Sequence, residues 1–376
     1  MTRVRELRSQ ELFVNMGPQH PSTHGVLRLM LRTDGEIVSD VAPVIGYLHR
    51  CAEKYGESGT YQMVIPYTDR LDYLAGMNCN FGYCAAVEKL AGIVVPERAE
   101  YIRVIVSELN RIASHLIALG TYGLDLGAWT PFLYVMDERE KILDLFEMVC
   151  GARLTYSYFR IGGVSADLPE GWVGRCREFL DFFRKRIDEF NDLLSYNYIF
   201  IKRTASVGVI PPHVAVDYGC TGPVLRGSGV KRDTRVDEPY SVYPRLRFQI
   251  PIGRGEKGTV GDCWDRYMVR IHEMEQCCNI VEQALAQMPE AGDVRAKVPK
   301  LFKPPKGEIY VRTESAKGEL GFYLVSDGTD KPYRCKMRSP SYSNLCVLPA
   351  ISEGMMLSDL VATLGSLDVV MGEIDR

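Results

Sequence analysis

Between Glu97 and Leu119, apolar side chains recur at Ile102, Ile105, Val106, Leu109, Ile112, Ala113, Leu116 and Ile117. Spacings near three and four place them on one face of a long α-helix. Four further stretches read the same way: Leu71 to Leu90, Phe132 to Tyr158, Pro169 to Leu194 and Cys263 to Met288. Gly92 with Pro96 closes the first of these, Gly151 weakens the second near its end, and Pro289 stops the last. Five such faces are buried most simply by packing on one another, at about 25 cal/mol per Å² of apolar surface removed from water. Shorter helical pieces are expected at Tyr47 to Glu57 and at about Ser352 to Leu367.

Strand patterns flank this bundle. Glu11 to Met16 is a short apolar run, and Gly25 to Arg32 passes through Asp34-Gly35 into Glu36 to Val44, a hairpin signal. Glu308 to Thr313 and Glu319 to Ser326 alternate as paired strands. No parallel βαβ order is evident. The expected fold is therefore α+β, with a central long-helix bundle between an N-terminal antiparallel β/loop region and a C-terminal β-containing region. In chain order the division is a hairpin region with a histidine loop (1–46), the helical bundle (47–206), an irregular glycine-rich interface segment (207–262), a further bundle helix (263–288), a Pro/Lys-rich linker (289–307), and C-terminal strands with a closing helix (308–376).

Several function classes are excluded or disfavoured. With 45 Lys and Arg against 48 Asp and Glu, the net charge of -3 leaves no electrostatic footprint for nucleic acid. No run approaches the length of a membrane span, and the basic start Met1 to Arg8 lacks the apolar core of a secretory signal. A peripheral attachment to a membrane neighbour stays open. The 11 cysteines contain no Cys-x-x-Cys pair, so a zinc ribbon or a self-contained iron–sulfur ligand set lacks its spacing. Cys79 and Cys84 read as small buried hydrophobes. His272-Glu-Met-Glu-Gln276 misses the second histidine of a zinc protease, and no nucleotide loop of either common type appears.

The remaining chemistry sits in a few places. Gly17-Pro-Gln-His-Pro-Ser-Thr-His-Gly25 is a stiff loop holding His20 and His24. Each imidazole either caps a turn or is aimed into a cavity, where it can donate a proton near neutral pH. Asp69 is a candidate N-cap for the second helix, and Arg70 and Tyr73 would then share its face, as an ordinary capped helix or as a guanidinium and a phenol presented together. Glu108, Arg111 and His115 form a polar stripe beside the apolar face of the 97–119 helix, which suits a surface network or a buried relay equally. Asp125 stands alone in an otherwise uncharged segment and is expected to be partnered or exposed. The charged turn Asp137 to Lys141 is expected to make interhelical salt bridges.

Several of these motifs resemble a known family. The 17–25 loop, Ile45-Gly-Tyr-Leu-His49, Asp69-Arg-Leu-Asp-Tyr73, Glu108-Leu-Asn-Arg-Ile-Ala-Ser-His115, Arg160-Ile-Gly-Gly-Val164, Ser228-Gly-Val230 and Ser366-Leu-Asp-Val-Val-Met-Gly-Glu-Ile-Asp-Arg376 together resemble the D subunit of respiratory complex I, the 49 kDa subunit of mitochondria. That family is related to the large subunit of nickel–iron hydrogenases. The resemblance implies a quinone-reactive peripheral subunit of a proton-translocating NADH:quinone oxidoreductase, active only in the complex. Its partners would be the B, C and I subunits and the membrane-embedded H subunit, on the cytoplasmic face of a bioenergetic membrane. The B subunit would hold the terminal [4Fe–4S] cluster, other subunits would hold FMN and bind NADH, and this chain would bind no cofactor or metal of its own. By similarity His24 and Tyr73 would hydrogen-bond the quinone, His24 from the β1–β2 loop and Tyr73 from its helix. Asp125 would pair with His24 or receive charge after reduction, Arg70 would lie beside the partner's cluster, and His115 would belong to a polar route beyond. A ferredoxin- or F420-driven relative, and a scaffold without quinone chemistry, are the alternatives.

The sequence departs from the family in places. Val370 and Glu373 stand where the hydrogenase pattern carries thiolates, so nickel has no soft ligands there. Thr155 occupies a position where many relatives carry histidine near the cluster, a change that fits a low-potential quinone such as menaquinone. The 289–307 linker is shorter than in many relatives, and Val369 replaces a usual proline.

Overall fold

The computed structural model describes residues 11–19 and 24–376. His20 of the histidine loop lies outside the described residues. Among the described residues there are three antiparallel sheets: β1 (Glu11–Met16), β2 (Arg28–Asp34) and β3 (Ile37–Val44); a two-residue hairpin of β4 (Phe159–Arg160) and β5 (Gly163–Val164); and β6 (Gly307–Ser315), β7 (Gly318–Ser326) and β8 (Arg334–Arg338). The helices are α1 (Ala52–Ser58), α2 (Tyr61–Thr68), α3 (Gly76–Ala91), α4 (Glu97–Asp125), α5 (Trp129–Cys150), α6 (Trp172–Phe190), α7 (Tyr198–Thr204), α8 (Pro212–Asp217), α9 (Gly222–Gly227) and α10 (Thr234–Asp237). After the long α11 (Cys263–Gln287) come α12 (Pro340–Cys346), α13 (Leu348–Ser352), α14 (Leu357–Leu367) and α15 (Met371–Asp375). The fold is α+β, a central long-helix bundle with β-sheet regions at the N- and C-terminal flanks.

α4 is the axis of the bundle. Ile102, Ile105, Val106, Leu109, Ile112, Ala113 and Leu116 are all fully buried, against α3, α5, α11 and α14. Gly92 and Gly151, both at positive φ, end α3 and α5, because a left-handed residue turns the chain off the helix axis at no Cβ cost. The expected hairpin is formed, with Asp34 paired to Ile37 around Gly35. Cys79 and Cys84 are buried in the main core, and Glu138 of the charged turn reaches across to Arg186 of α6 at 2.7 Å.

A second core fixes the N-terminal sheet to the C-terminal helices: Leu27, Leu29, Leu31, Val38 and Val41 pack with Leu360, Leu364, Leu367, Met371 and Ile374. Backbone bonds from Val38 to Met355 and from Gly354 to Val38 clasp β3 to the segment before α14. This attachment holds His24, shortly before β2, over the end of α4.

Helix boundaries differ from the sequence pattern in instructive places. Residues 47–51 are not helical and α1 starts only at Ala52; Asp375 captures the backbone N–H groups of Gly46 and Leu48 at 2.8 and 2.7 Å, holding that segment off a helical path. The stretch from 71 to 75 is a turn between α2 and α3, not the first part of a helix. α5 ends at Cys150 rather than continuing to Tyr158, α6 begins at Trp172 after Gly171 at positive φ, and α14 begins at Leu357.

Candidate functional site

His24, itself at φ 50, ends the histidine loop above the C-terminus of α4. Its Nε2–H donates to Asp125 Oδ2 at 2.6 Å, and both side chains are mostly shielded, 15% and 6% exposed. Asp125 is the last residue of α4. Its approach to α14 requires Gly365, where a Cβ would stand 2.9 Å from Asp125 Oδ2 and 2.8 Å from the Tyr122 ring. The lone carboxylate of the uncharged segment is thus partnered, by the imidazole.

Tyr73 sits on the turn after α2, which corrects the expectation that a helix would present it. Asp69 is likewise no N-cap: it follows α2, and its Oδ2 accepts from the Ser157 backbone N–H at 3.0 Å. Local polar bonds explain the break. Asp72 Oδ1 accepts from the N–H groups of Leu74 and Ala75 at 3.0 and 3.3 Å, diverting them from a helical ladder. Asn110 of α4 accepts from Met77 N–H at 3.0 Å and donates to the Leu74 carbonyl at 3.0 Å, pinning the turn to the bundle axis. No motif spacing marks Asn110 as the clamp, although it lies between two of the stripe residues.

The turn borders a cavity of about 580 Å³ lined by Leu48, Arg50, Ala52, Tyr55, Tyr67, Arg70, Leu71, Tyr73, Gly372 and Arg376. Tyr55 and Tyr67 stack there with ring centroids 5.6 Å apart. The Tyr73 phenol, 37% exposed, is pushed above its usual range by burial and by the charges of Asp72 and Asp368, so it is a neutral hydrogen-bond donor at neutral pH. Arg70 is exposed, with Nη1 held to the Pro66 carbonyl at 2.6 Å. Tyr73 and Arg70 therefore share one cavity. Among the described residues, its lining does not include His24, Asp125 or His115.

His115 is fully buried, and the stripe it belongs to is no surface network. Its Nε2–H donates to Glu273 Oε2 at 3.0 Å, and burial lowers its affinity for a proton, so the ring is neutral. Glu273 also accepts from Arg226 and Arg235 at 2.9 and 3.0 Å. Arg235 reaches Glu108 at 3.0 Å, Arg226 reaches Glu314 at 2.7 Å, and Tyr243 donates to Glu108 at 2.6 Å. Arg226, Arg235 and Glu273 come from α9, α10 and α11; the sequence pattern on α4 had no means of naming them.

Among the described residues no group of three or more His, Cys, Asp and Glu side chains is arranged to hold a metal ion, and no helix is long and apolar enough to cross a membrane. The class these features define is a hydrogenase-like large subunit, an α+β chain built on a central long-helix bundle with sheets at both flanks. A family model described as respiratory-chain NADH dehydrogenase, 49 Kd subunit, matches residues 125–304 and 296–376. The D subunit of NADH-quinone oxidoreductase from Chlorobium luteolum is 52% identical over 99% of this chain and 95% of its own length. The corresponding D subunit of Desulforamulus reducens is 53% identical over 98% of this chain and 99% of its own, and that of Prosthecochloris aestuarii is 51% identical over 100% and 95%. The chain belongs to the 49 kDa, or D-subunit, family of complex I.

Proposed function

We propose that this chain is the quinone-reactive subunit of the peripheral arm, forming the headgroup pocket together with a cluster-bearing B subunit. The observation that carries the reading is the cavity beside Tyr73 and Arg70, on a chain that also holds a second proton-bearing group, the His24–Asp125 pair. Reduction of a quinone takes two electrons and two protons. The electrons would come singly from the partner's [4Fe–4S] cluster, since the cysteines of this chain lack the spacing of a cluster ligand set. The Tyr73 O–H and the His24 N–H are the donors on this chain suited to oxyanion charge as it grows on the two quinone oxygens. Asp125 orients the imidazole by accepting its Nε2–H. Loss of a proton from His24 then leaves Asp125 facing a neutral ring, a local charge change able to bias the loop and so couple to proton pumping.

Arg70 lies one residue from Asp69, whose carboxylate binds Ser157, so the segment carrying Thr155 runs beside the same turn. This supports a common face of Arg70 and Thr155 toward the B subunit and its cluster, and Thr155 in place of a histidine fits a low-potential quinone such as menaquinone. The C and I subunits and the membrane-embedded H subunit complete the neighbourhood, on the cytoplasmic face of the membrane, with FMN and NADH handled elsewhere. A ferredoxin or F420 input module would leave this site unchanged, so the subunit composition of the purified assembly decides the donor. His115 need not move a proton; sealed among Glu273 and the arginines, it serves first to hold α11 to α4.

In the assembled complex Tyr73→Phe is expected to keep assembly and lose most quinone reduction, by roughly 10²-fold or more, because only the hydroxyl is removed. Full turnover with normal quinone affinity would exclude the assigned role and leave a scaffold.

A further inference from the structure

Two carboxyl groups stand directly behind the cavity wall, on residues adjacent to its lining: Asp72 between Leu71 and Tyr73, and Glu373 beside Gly372. The two segments touch, since a Cβ on Gly372 would lie 2.8 Å from the Leu71 carbonyl oxygen. Both side chains are buried, with 0% and 1% exposure. Each is satisfied on one oxygen only. Asp72 Oδ1 accepts from Leu74 and Ala75, and Glu373 Oε2 accepts from the backbone N–H of Ser341 at 3.2 Å and from its hydroxyl. Asp72 Oδ2 and Glu373 Oε1 are sealed from solvent with no hydrogen-bond partner among the described residues.

The charges around them do not balance two carboxylates. Lys317, from the turn between β6 and β7, is a cation that acts on both carboxyls, but its Nζ is already 2.5 Å from Asp368 Oδ2 at the end of α14. Arg270 of α11 faces the same Asp368 at 3.5 Å. Two cations thus meet three acids. Of the other groups near the pair, Cys79 of α3 is kept a neutral thiol by burial, Tyr73 is a neutral phenol, and buried Asp69 lies on the same turn. The guanidiniums of Arg70 and Arg376 line the cavity itself and are engaged elsewhere, Arg70 with the Pro66 carbonyl and Arg376 with Glu53 and the Met337 carbonyl. A buried carboxylate oxygen with neither donor nor counter-charge is costly, and protonating one of the two removes that cost. Burial and the Asp72 charge push Glu373 up to about 7, and burial pushes Asp72 up as well.

We propose that Asp72 and Glu373 hold one exchangeable proton between them at neutral pH, and that this proton restores the Tyr73 phenol after it has protonated reduced quinone. The second half rests on the quinone reading above. The step balances as proton transfer alone: the Tyr73 O–H bond breaks toward a quinol oxyanion, a carboxylic O–H bond of the pair then breaks toward the phenolate, and solvent refills the pair. Neither carboxyl touches the quinone, so both are positioning groups that store a proton.

Infrared titration of the purified, assembled complex tests the pair. A protonated-carboxyl stretch, shifted in D₂O, is expected below neutral pH, lost in a transition centred near 7, and missing from Glu373→Gln and Asp72→Asn alike. Absence of that band in the unsubstituted complex overturns the proposal, and this holds even where a variant fails to assemble. In kinetics, Glu373→Gln should lower kcat by roughly tenfold with unchanged KM, and should abolish the fall in turnover as pH rises through about 7. An unaltered kcat and pH profile in both variants overturns the refilling role. A fully active Tyr73→Phe complex would defeat the quinone reading while leaving the infrared result to judge the pair by itself.

Discussion

α4 carries two polar regions that behave differently. At its middle, Glu108, Arg111 and His115 are completely buried; Glu108 and Arg111 face opposite charges on α4 itself or on α10, and the neutral His115 donates to Glu273 of α11. At its end, Asp125 is paired with the His24 imidazole and, among the described residues, with no cation of Lys or Arg. The residue types are much the same; the number of counter-charges and the access to solvent are not. A sealed, multiply paired network resists changes in protonation, because every added or removed proton leaves a buried charge unmatched. Glu273 and Glu108 are accordingly held below the ordinary carboxylate range by their arginines, against the opposing effect of burial, Glu108 to about 2. The His24–Asp125 pair has no such surround of counter-charges among the described residues. On the proposed reading, the middle of α4 serves stability and its end serves proton chemistry.

The sharpest way to break that contrast is Arg235→Ala. It strips counter-charge from Glu108, Asp233 and Glu273 at once, and should destabilise the chain by about 3–5 kcal/mol, read as a lowered unfolding midpoint or failed assembly. Asp125→Asn should instead leave the fold intact and reduce quinone turnover by roughly 10²-fold; a large stability loss with normal turnover would reverse the two assignments. Asp69→Asn tests a buried carboxyl outside both regions. Burial raises Asp69 to about 6 against an ordinary value of 3.8, so the folded chain binds this proton more tightly than the unfolded one. Its stabilising contribution is full below 3.8 and is lost as pH rises through about 6. The asparagine variant should therefore gain about 1–2 kcal/mol at neutral pH and show a flatter stability profile across that window, measured by denaturant unfolding at several pH values. The smallest effect is expected from Arg153→Ala, whose partners Glu140, Asp144 and Glu147 are all exposed; the unfolding midpoint should hardly move, and less still at high salt.

Much of the architecture was legible because it rests on local periodicity. β1 and the hairpin through Asp34-Gly35 follow from short-range pattern, as do the cores of α3, α4, α6 and α11. β8 escaped notice: Arg334 to Arg338 is short and charged, and it is a strand only because it pairs along β7. The turn at 69–75 escaped for a related reason. Its apolar spacing continues that of α3, and what stops the helix is Asp72 bonding its own neighbours and Asn110 reaching in from another helix.

For the site, the residue types and the motif resemblance named His24, Tyr73, Asp125, Arg70 and His115. The grouping of those residues did not follow from their order in the chain. His24 and Asp125 meet across 101 positions, while His115, only ten residues before Asp125, belongs to a sealed network with Glu273. Backbone propensity and hydrophobic period act over a few residues, so the linear chain determines which helices form and which faces they bury. Whether a polar side chain ends in a cavity, at a rim or among counter-charges depends on what distant segments bring to it. That outcome belongs to packing, which is why proton chemistry here is decided by the tertiary structure.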